Sequence, residues 1–171
     1  YVDNLFSVVR VRHSPSDYEL MESISEWAER IAQSAGSSGS MERILKQTAV
    51  GGFTCNVGKA LSTICGKLQN VHLIGSFGLP AMLQIFQDHL VGFYQCVPFS
   101  VGNPGLTDAY EFSDGKIMMV SFQNINRLDW NQILSNLGQE SLIDEFDKSK
   151  LWGIGYWSSS PHMSEIFSAL Q

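Results

Sequence analysis

The sequence predicts an α/β protein, and three observations carry that expectation. Short apolar stretches such as "VHLIG" (71–75) and "LWGIGY" (151–156) alternate with amphipathic stretches of helical period, the pattern of a largely parallel sheet with helices between its strands. A glycine pair, Gly51-Gly52, stands immediately before one of those helices. The stretch "LTDAYEFSDGKIMMVSF" has two β-rich arms about Ser113-Asp114-Gly115, and Asp-Gly between such arms signals a hairpin. The hairpin does not belong to a βαβ repeat, so residues 91–123 are expected to form a β-flap on a single α/β domain spanning 1–171.

The opening, Val2 to Val11, is apolar and β-branched enough for a strand. Ser14-Pro15 offers a cap followed by proline at the first helical position. Leu20, Ile24, Trp27, Ala28 and Ile31 then recur at helical spacing, which predicts a helix over 15–34 with Glu26 and Arg30 paired on its wet side. "SAGSSGS" (34–40) reads as a flexible loop. A short helix over 41–47 is expected to lead into the glycine pair. After it, Val57, Ala60, Leu61, Ile64 and Cys65 share one face, and Gly66 is placed to stop the helix. "VHLIG" predicts a buried strand and "LPAMLQIFQDHL" a helix. Asp129 caps a helix ended by Gly138, a short helical stretch covers 139–147, "LWGIGY" predicts another buried strand, and Ser160-Pro161 starts the last helix.

Composition excludes several classes. A net charge of -6 with eleven scattered basic residues argues against a nucleic-acid partner, which needs clustered Lys and Arg. No apolar run approaches the roughly 20 residues of a membrane span, and no signal peptide is visible. Cys55, Cys65 and Cys96 are odd in number and lack C-x-x-C spacing, which argues against a disulfide framework or a zinc site and for a reducing, cytoplasmic location. Each thiol is expected to be a small buried apolar group. The chain opens on "YVDNLFSVVRV", which reads as the middle of an element, so it is expected to be a piece of a longer protein.

The glycine pair requires something to come close to the backbone: a phosphate, a small polar substrate, or the chain itself in a tight turn. A phosphate loop fails twice, because five residues separate Gly52 from Gly58-Lys59 and Ala60 stands where a Mg²⁺-binding hydroxyl is needed. No G-x-G-x-x-G fingerprint is present. What remains is a glycine pair at a helix N-terminus, where free N–H groups and the helix dipole favour an oxygen-rich ligand. Asn56, in the first turn, can give and accept a hydrogen bond with a hydroxyl.

In order along the chain come Asp3 after an N-terminal strand, "GGFTCNVGKAL", "VHLIGSFG", a β-flap, and "LWGIGYWSSSPHM". This series resembles the ribokinase-like (PfkB-type) carbohydrate kinases and implies part of their αβα sandwich with a small β-flap, or lid. The resemblance implies a small sugar-like substrate held by Asp3, Gly51, Gly52 and Asn56, with Gly75 and Gly78 in the Gly-x-x-Gly positions. The "GSFGLPAMLQIF" continuation and the pair Glu111-Phe112 resemble the ADP-dependent glucokinase and phosphofructokinase branch, which adds Glu111 as a sugar contact. The implied reaction is phosphoryl transfer from ATP or ADP with Mg²⁺ to a hydroxyl of a sugar or nucleoside.

Such chemistry needs a base and stabilisation of the transferring phosphoryl group. The family supplies these from a glycine-rich Asp motif in its C-terminal half, and no G-x-G-D occurs in residues 1–171. The chain is therefore expected to carry the substrate-binding half without the catalytic aspartate or the nucleotide site, and to be inactive alone. The alternative is a non-catalytic carbohydrate-binding or scaffold protein on the same fold. Asp108 and Glu111 fall on opposite faces of a strand and make no paired-carboxylate site. His13, His72, His89 and His162 lack metal-ligand spacing, so no metal site is expected; His72 is read as a packed strand residue. Trp130, Trp152 and Trp157 are expected in the core, and Ser158-Ser159-Ser160 lines the cleft or caps the helix after it. The flap offers a strand edge for a homodimer.

Overall fold

The computed structural model describes residues 1–66 and 71–171. In chain order the elements are β1 (Val2–Ser14), β2 (Asp17–Leu20), α1 (Ile24–Ala32), β3 (Arg43–Val50), α2 (Phe53–Cys65), β4 (His72–Gly75) and α3 (Gln84–Phe86), which runs on as a π-helical segment (Gln87–Phe93). Then come β5 (Val97–Ser100), β6 (Leu106–Phe112), β7 (Gly115–Ser121), a 3₁₀ turn (Ile125–Arg127), α4 (Trp130–Leu137), α5 (Gln139–Lys148) and α6 (Met163–Ala169). The fold is α/β. The chain divides into two compact units: Tyr1–Val2, Val50–Gly105 and Ser121–Gln171 form the first, Asp3–Ala49 and Leu106–Val120 the second. Of the 91–123 region expected as one flap, residues up to Gly105 belong to the first unit and Leu106–Val120 to the second.

The second unit is a five-stranded sheet with one helix. Its order is β2-β1-β6-β7, with β3 also paired to β1, so β1 is the strand on which the sheet is built. β2 runs antiparallel to it, with Val9 opposite Leu20 and Arg12 opposite Tyr18. Val8, Met21, Trp27 and Phe112 form the core, with Ile24, Met41, Tyr110 and Ile117 packed against it. Trp27 stacks on Tyr110 at 4.9 Å between centroids, and Phe6 stacks on Tyr110 at 5.7 Å. Two carboxylate or hydroxyl caps start α1: the Ser23 hydroxyl accepts from Glu26 N at 3.1 Å, and the hairpin residue Asp114 accepts from Ile24 N at 3.0 Å.

This sheet corrects two expectations. The helix expected over 15–34 is strand β2 followed by the shorter α1, because residues 17–20 take their backbone partners from β1 and Ser23 sets the helix start. Leu20 had the right spacing for the helix but belongs to the strand. Glu26 pairs with Arg10 at 2.9 Å rather than with Arg30. The helix expected over 41–47 is β3; a seven-residue window distinguishes period 2 from period 3.6 poorly, and the β-branched content of "RILKQTAV" prevails.

The first unit contains a βαβ arrangement. β4 and β5 pair in parallel from His72 opposite Val97 to Gly75 opposite Ser100, joined through α3 and its π-helical extension. The expected helix at 79–90 begins only at Gln84, with Leu83 N donating to Phe77 O across the preceding turn. Parallel pairing thus holds for β4 and β5, whereas β1 and β2 are antiparallel. One core gathers Leu73, Phe77, Phe86, Leu90 and Cys96 with Cys55, Val2 and Val50. Another gathers Val101, Ile133, Leu142 and Ile166 from β5's end and α4 to α6. Asp129 caps α4, accepting from Gln132 N at 2.7 Å.

Residues 151–156 are not the strand expected: Leu151 is 83% exposed and Tyr156 has φ +93°, a left-handed value that no strand accommodates. Trp130 packs against the second core, Trp152 stacks on Phe146, and Trp157 is exposed beside Phe167. His72 is half-buried, with Nδ1 on the buried Glu145 carboxylate of α5. Cys55 and Cys96 are buried and burial pushes the Cys96 thiol up, but Cys65 is exposed, against expectation.

In the second unit Arg43 bonds the Asp108 carboxylate at 2.5 Å and Tyr110 Oη at 2.7 Å, and its guanidinium lies 4.0 Å from the Phe6 ring centre. Burial alone would raise the Asp108 carboxyl, but the hydrogen bonds from Arg43 and Asn4 outweigh it and hold it below its ordinary value. A depressed carboxyl stabilises the fold above its unfolded pKa, and the contribution is lost as pH falls through the folded one. Asp108→Asn is therefore expected to be less stable than the parent at pH 7, by under about 1 kcal/mol. The gap should close below about pH 4, as read by thermal melts from pH 7 to 3.

Candidate functional site

The helix that begins after the glycine pair is α2, in the first unit. Gly52 is its N-cap at φ +84°, and no side chain caps it. Its carbonyl takes Asn56 N–H at 3.1 Å, and the amides of Phe53 and Thr54 lie at this terminus with the positive end of the helix dipole. Gly51 is held in a reciprocal pair: its N–H donates to Tyr1 O and Tyr1 N donates to Gly51 O, both at 3.1 Å. Val2 N donates to Gly105 O at 3.0 Å, so three distant pieces of chain meet beside the start of α2. Lys59, one turn further along, donates to Val50 O at 2.8 Å.

The close neighbour of Gly52 within the chain is a tyrosine ring. A β-carbon on Gly52 would stand 2.8 Å from Tyr1 Cδ2, and one on Gly105 would stand 2.5 Å from Tyr1 Cε1. Backbone angle and space both require glycine at position 52. The Tyr1 ring also meets Tyr156 edge-on at 5.7 Å and Phe122 at 6.3 Å. Phe53, the first residue of α2, lies so near the 151–156 segment that a β-carbon on Gly155 would be 2.6 Å from its ring. Tyr156 holds its unusual backbone with its carbonyl accepting from Ser159 and Ser160 N–H.

The structure therefore brings Gly51, Gly52 and Asn56 together at one helix terminus, with the Asn56 side chain exposed there. Gly75 closes β4, and Gly78 follows in the turn with its N–H on Gly102 O at 2.9 Å. Asp3 and Glu111 lie in the second unit. Asp3 is half-buried on β1; Glu111, on β6, is paired with Lys116 at 3.3 Å. Asp108 and Glu111 go to different partners, as strand alternation requires. Tyr1, Phe53, Gly155 and Tyr156 were not legible as parts of this site: their signal is a set of close approaches between segments far apart in sequence. In the π-helical segment, burial and then the charge of Lys59 push the His89 imidazole down.

Among the described residues no three His, Cys, Asp or Glu side chains converge to hold a metal, and no helix is long and apolar enough to cross a membrane.

An α/β chain with a glycine-started helix, a βαβ unit and a β-sheet unit is compatible with part of a ribokinase-like αβα fold. The family model described as prokaryotic ketohexokinase matches residues 1–171. A ketohexokinase from Haloferax volcanii is 31% identical over 174 residues, which is 100% of this chain and 44% of that protein. The chain belongs to the prokaryotic ketohexokinase family, and spans less than half the length of this relative. No solved structure matches it.

Gly52→Ala is expected to cost about 1–3 kcal/mol of stability. In a Tyr1→Ala background the steric part disappears and the cost should fall to about 1–2 kcal/mol, that of the left-handed backbone alone. Denaturant unfolding of the four proteins of this double-mutant cycle checks both numbers.

Proposed function

We propose that this chain supplies the sugar-binding part of a kinase that transfers a phosphoryl group from ATP or ADP, with Mg²⁺, to a hydroxyl of a ketohexose. One observation carries the reading: the uncapped N-terminus of α2 begins at Gly52 with Asn56 exposed in its first turn, in a chain matched over its whole length by the prokaryotic ketohexokinase family. The backbone N–H groups of Phe53 and Thr54 would take hydroxyl oxygens, and the Asn56 amide would give and accept one hydrogen bond each. The reading rests on the first unit alone. Transfer also requires a base and phosphoryl-stabilising groups, for which no residue among 1–171 is assigned.

The test is D-fructose binding by calorimetry together with phosphoryl transfer from ATP and from ADP. Asn56→Ala should weaken fructose binding about tenfold, a loss of ~1.4 kcal/mol, and leave the melting temperature unchanged because the side chain is exposed. Unaltered affinity would remove the helix terminus from the site. Fructose binding by the complete protein without transfer from either nucleotide would favour the non-catalytic carbohydrate-binding protein instead.

The proposal includes a homodimer through the hairpin of the second unit. β7 is the last strand of its sheet and shows Met118 and Met119 to solvent, an edge suited to pairing with its own copy. Sedimentation should report a dimer that Met119→Lys converts to monomer; a monomeric parent would contradict the pairing.

A further inference from the structure

Two consecutive glycines give the turn between β3 and α2 more backbone freedom than any other residues would. The aim of the Phe53 and Thr54 amides therefore depends on what holds positions 50 to 52. Gly51 is tied to Tyr1 by the reciprocal pair. Val50 comes next to that pair, so by the alternation of an antiparallel ladder its own carbonyl points away from the Tyr1–Val2 segment. Val50 is 3% exposed, and a buried carbonyl needs a partner. The partner is Lys59, whose Nζ donates to Val50 O at 2.8 Å. This bond closes a ring across both glycines, from the last residue of β3 to a residue well inside α2. Val50 and Lys59 both belong to the first unit.

The placement of Lys59 follows from helix geometry. Helical side chains lean toward the N-terminus, which carries the ammonium back along α2 to Val50. Asn56 is its i,i+3 neighbour on the same face of the helix. Lys59 is half-buried, and among the described residues it has no carboxylate partner. An ammonium drawn partly out of water without a counter-ion costs the fold. Its charge also disfavours the charged form of His89 in the π-helical segment. Lys59 is thus placed not for an ion pair but for the carbonyl that precedes the glycines.

We infer that Lys59 is a positioning residue of the α2 site, holding the glycine pair in the conformation that presents the Phe53 and Thr54 amides and Asn56 to a ligand. This role rests on the reading of the α2 terminus as the ligand site.

The test compares Lys59→Met, Lys59→Arg and Thr63→Val with the parent chain, by amide hydrogen exchange without ligand and by calorimetry with D-fructose. Met keeps the length of the stem without the donor, and Arg restores a donor. Thr63→Val removes a different side-chain bond of α2, from Thr63 Oγ1 to Lys59 O at 2.8 Å, farther from the glycines. In Lys59→Met the Gly51 and Asn56 amides should exchange about tenfold faster. The Val101 N–H, bonded to Gly75 O, should keep the parent rate, and fructose should bind about fivefold more weakly. Lys59→Arg should recover most of both effects, and Thr63→Val should show neither. The role is overturned if Gly51 and Asn56 keep the parent rates in Lys59→Met, or if Val101 accelerates alike with them. It is equally overturned if Lys59→Met binds fructose as the parent does, or if Thr63→Val weakens binding as much; in both cases the proposed function stands. A parent that binds no fructose counts against the proposed function alone, since exchange at Gly51 and Asn56 still decides whether Lys59 holds the pair.

Discussion

The first unit depends on three backbone hydrogen bonds: the reciprocal pair between Tyr1 and Gly51, and the bond from Val2 N to Gly105 O. They join segments that no local interaction could bring together. The chain leaves this unit after Val2 and after Gly105 and returns to it at Val50, so these bonds fix the points between which α2, β4, α3 and β5 are strung. The Tyr1 ring then takes the space over Gly52 and Gly105. The start of α2 is placed as a consequence.

Helix ends and the hairpin were legible in the sequence, because their causes are local. Asp129 caps α4, Gly66 ends α2 and Gly138 ends α4 as their chemistry dictates. The strands of the second unit were not. β2 and β3 exist because β1 offers each a row of backbone partners, and a thirteen-residue strand pairing with three others leaves no periodic mark on those partners' own sequences. The stretch 151–156 misled in the opposite direction, since an apolar composition suggested burial in a sheet while Gly155 serves Phe53 and Tyr156 turns left-handed.

The glycine pair shows how a site and a packing requirement share one sequence signal. Gly52 is required by a ring and a backbone angle, both internal to the chain. A glycine N-cap also brings no side-chain oxygen to the first-turn amides, unlike the Ser23 and Asp129 caps of α1 and α4. The same residue that fits under Tyr1 thus leaves the start of α2 without a side-chain cap. Asn56 adds a directional amide at that position, and Lys59 is held on Val50 O. Family membership supplies the chemical context in which that terminus is read as a sugar site.

A crystal structure of the protein soaked with D-fructose tests this account most directly. The account predicts fructose hydroxyls within hydrogen-bonding distance of the Phe53 and Thr54 amides of α2 and of the Asn56 side chain. Fructose bound elsewhere in the first unit, with the α2 terminus in contact only with solvent, would contradict it.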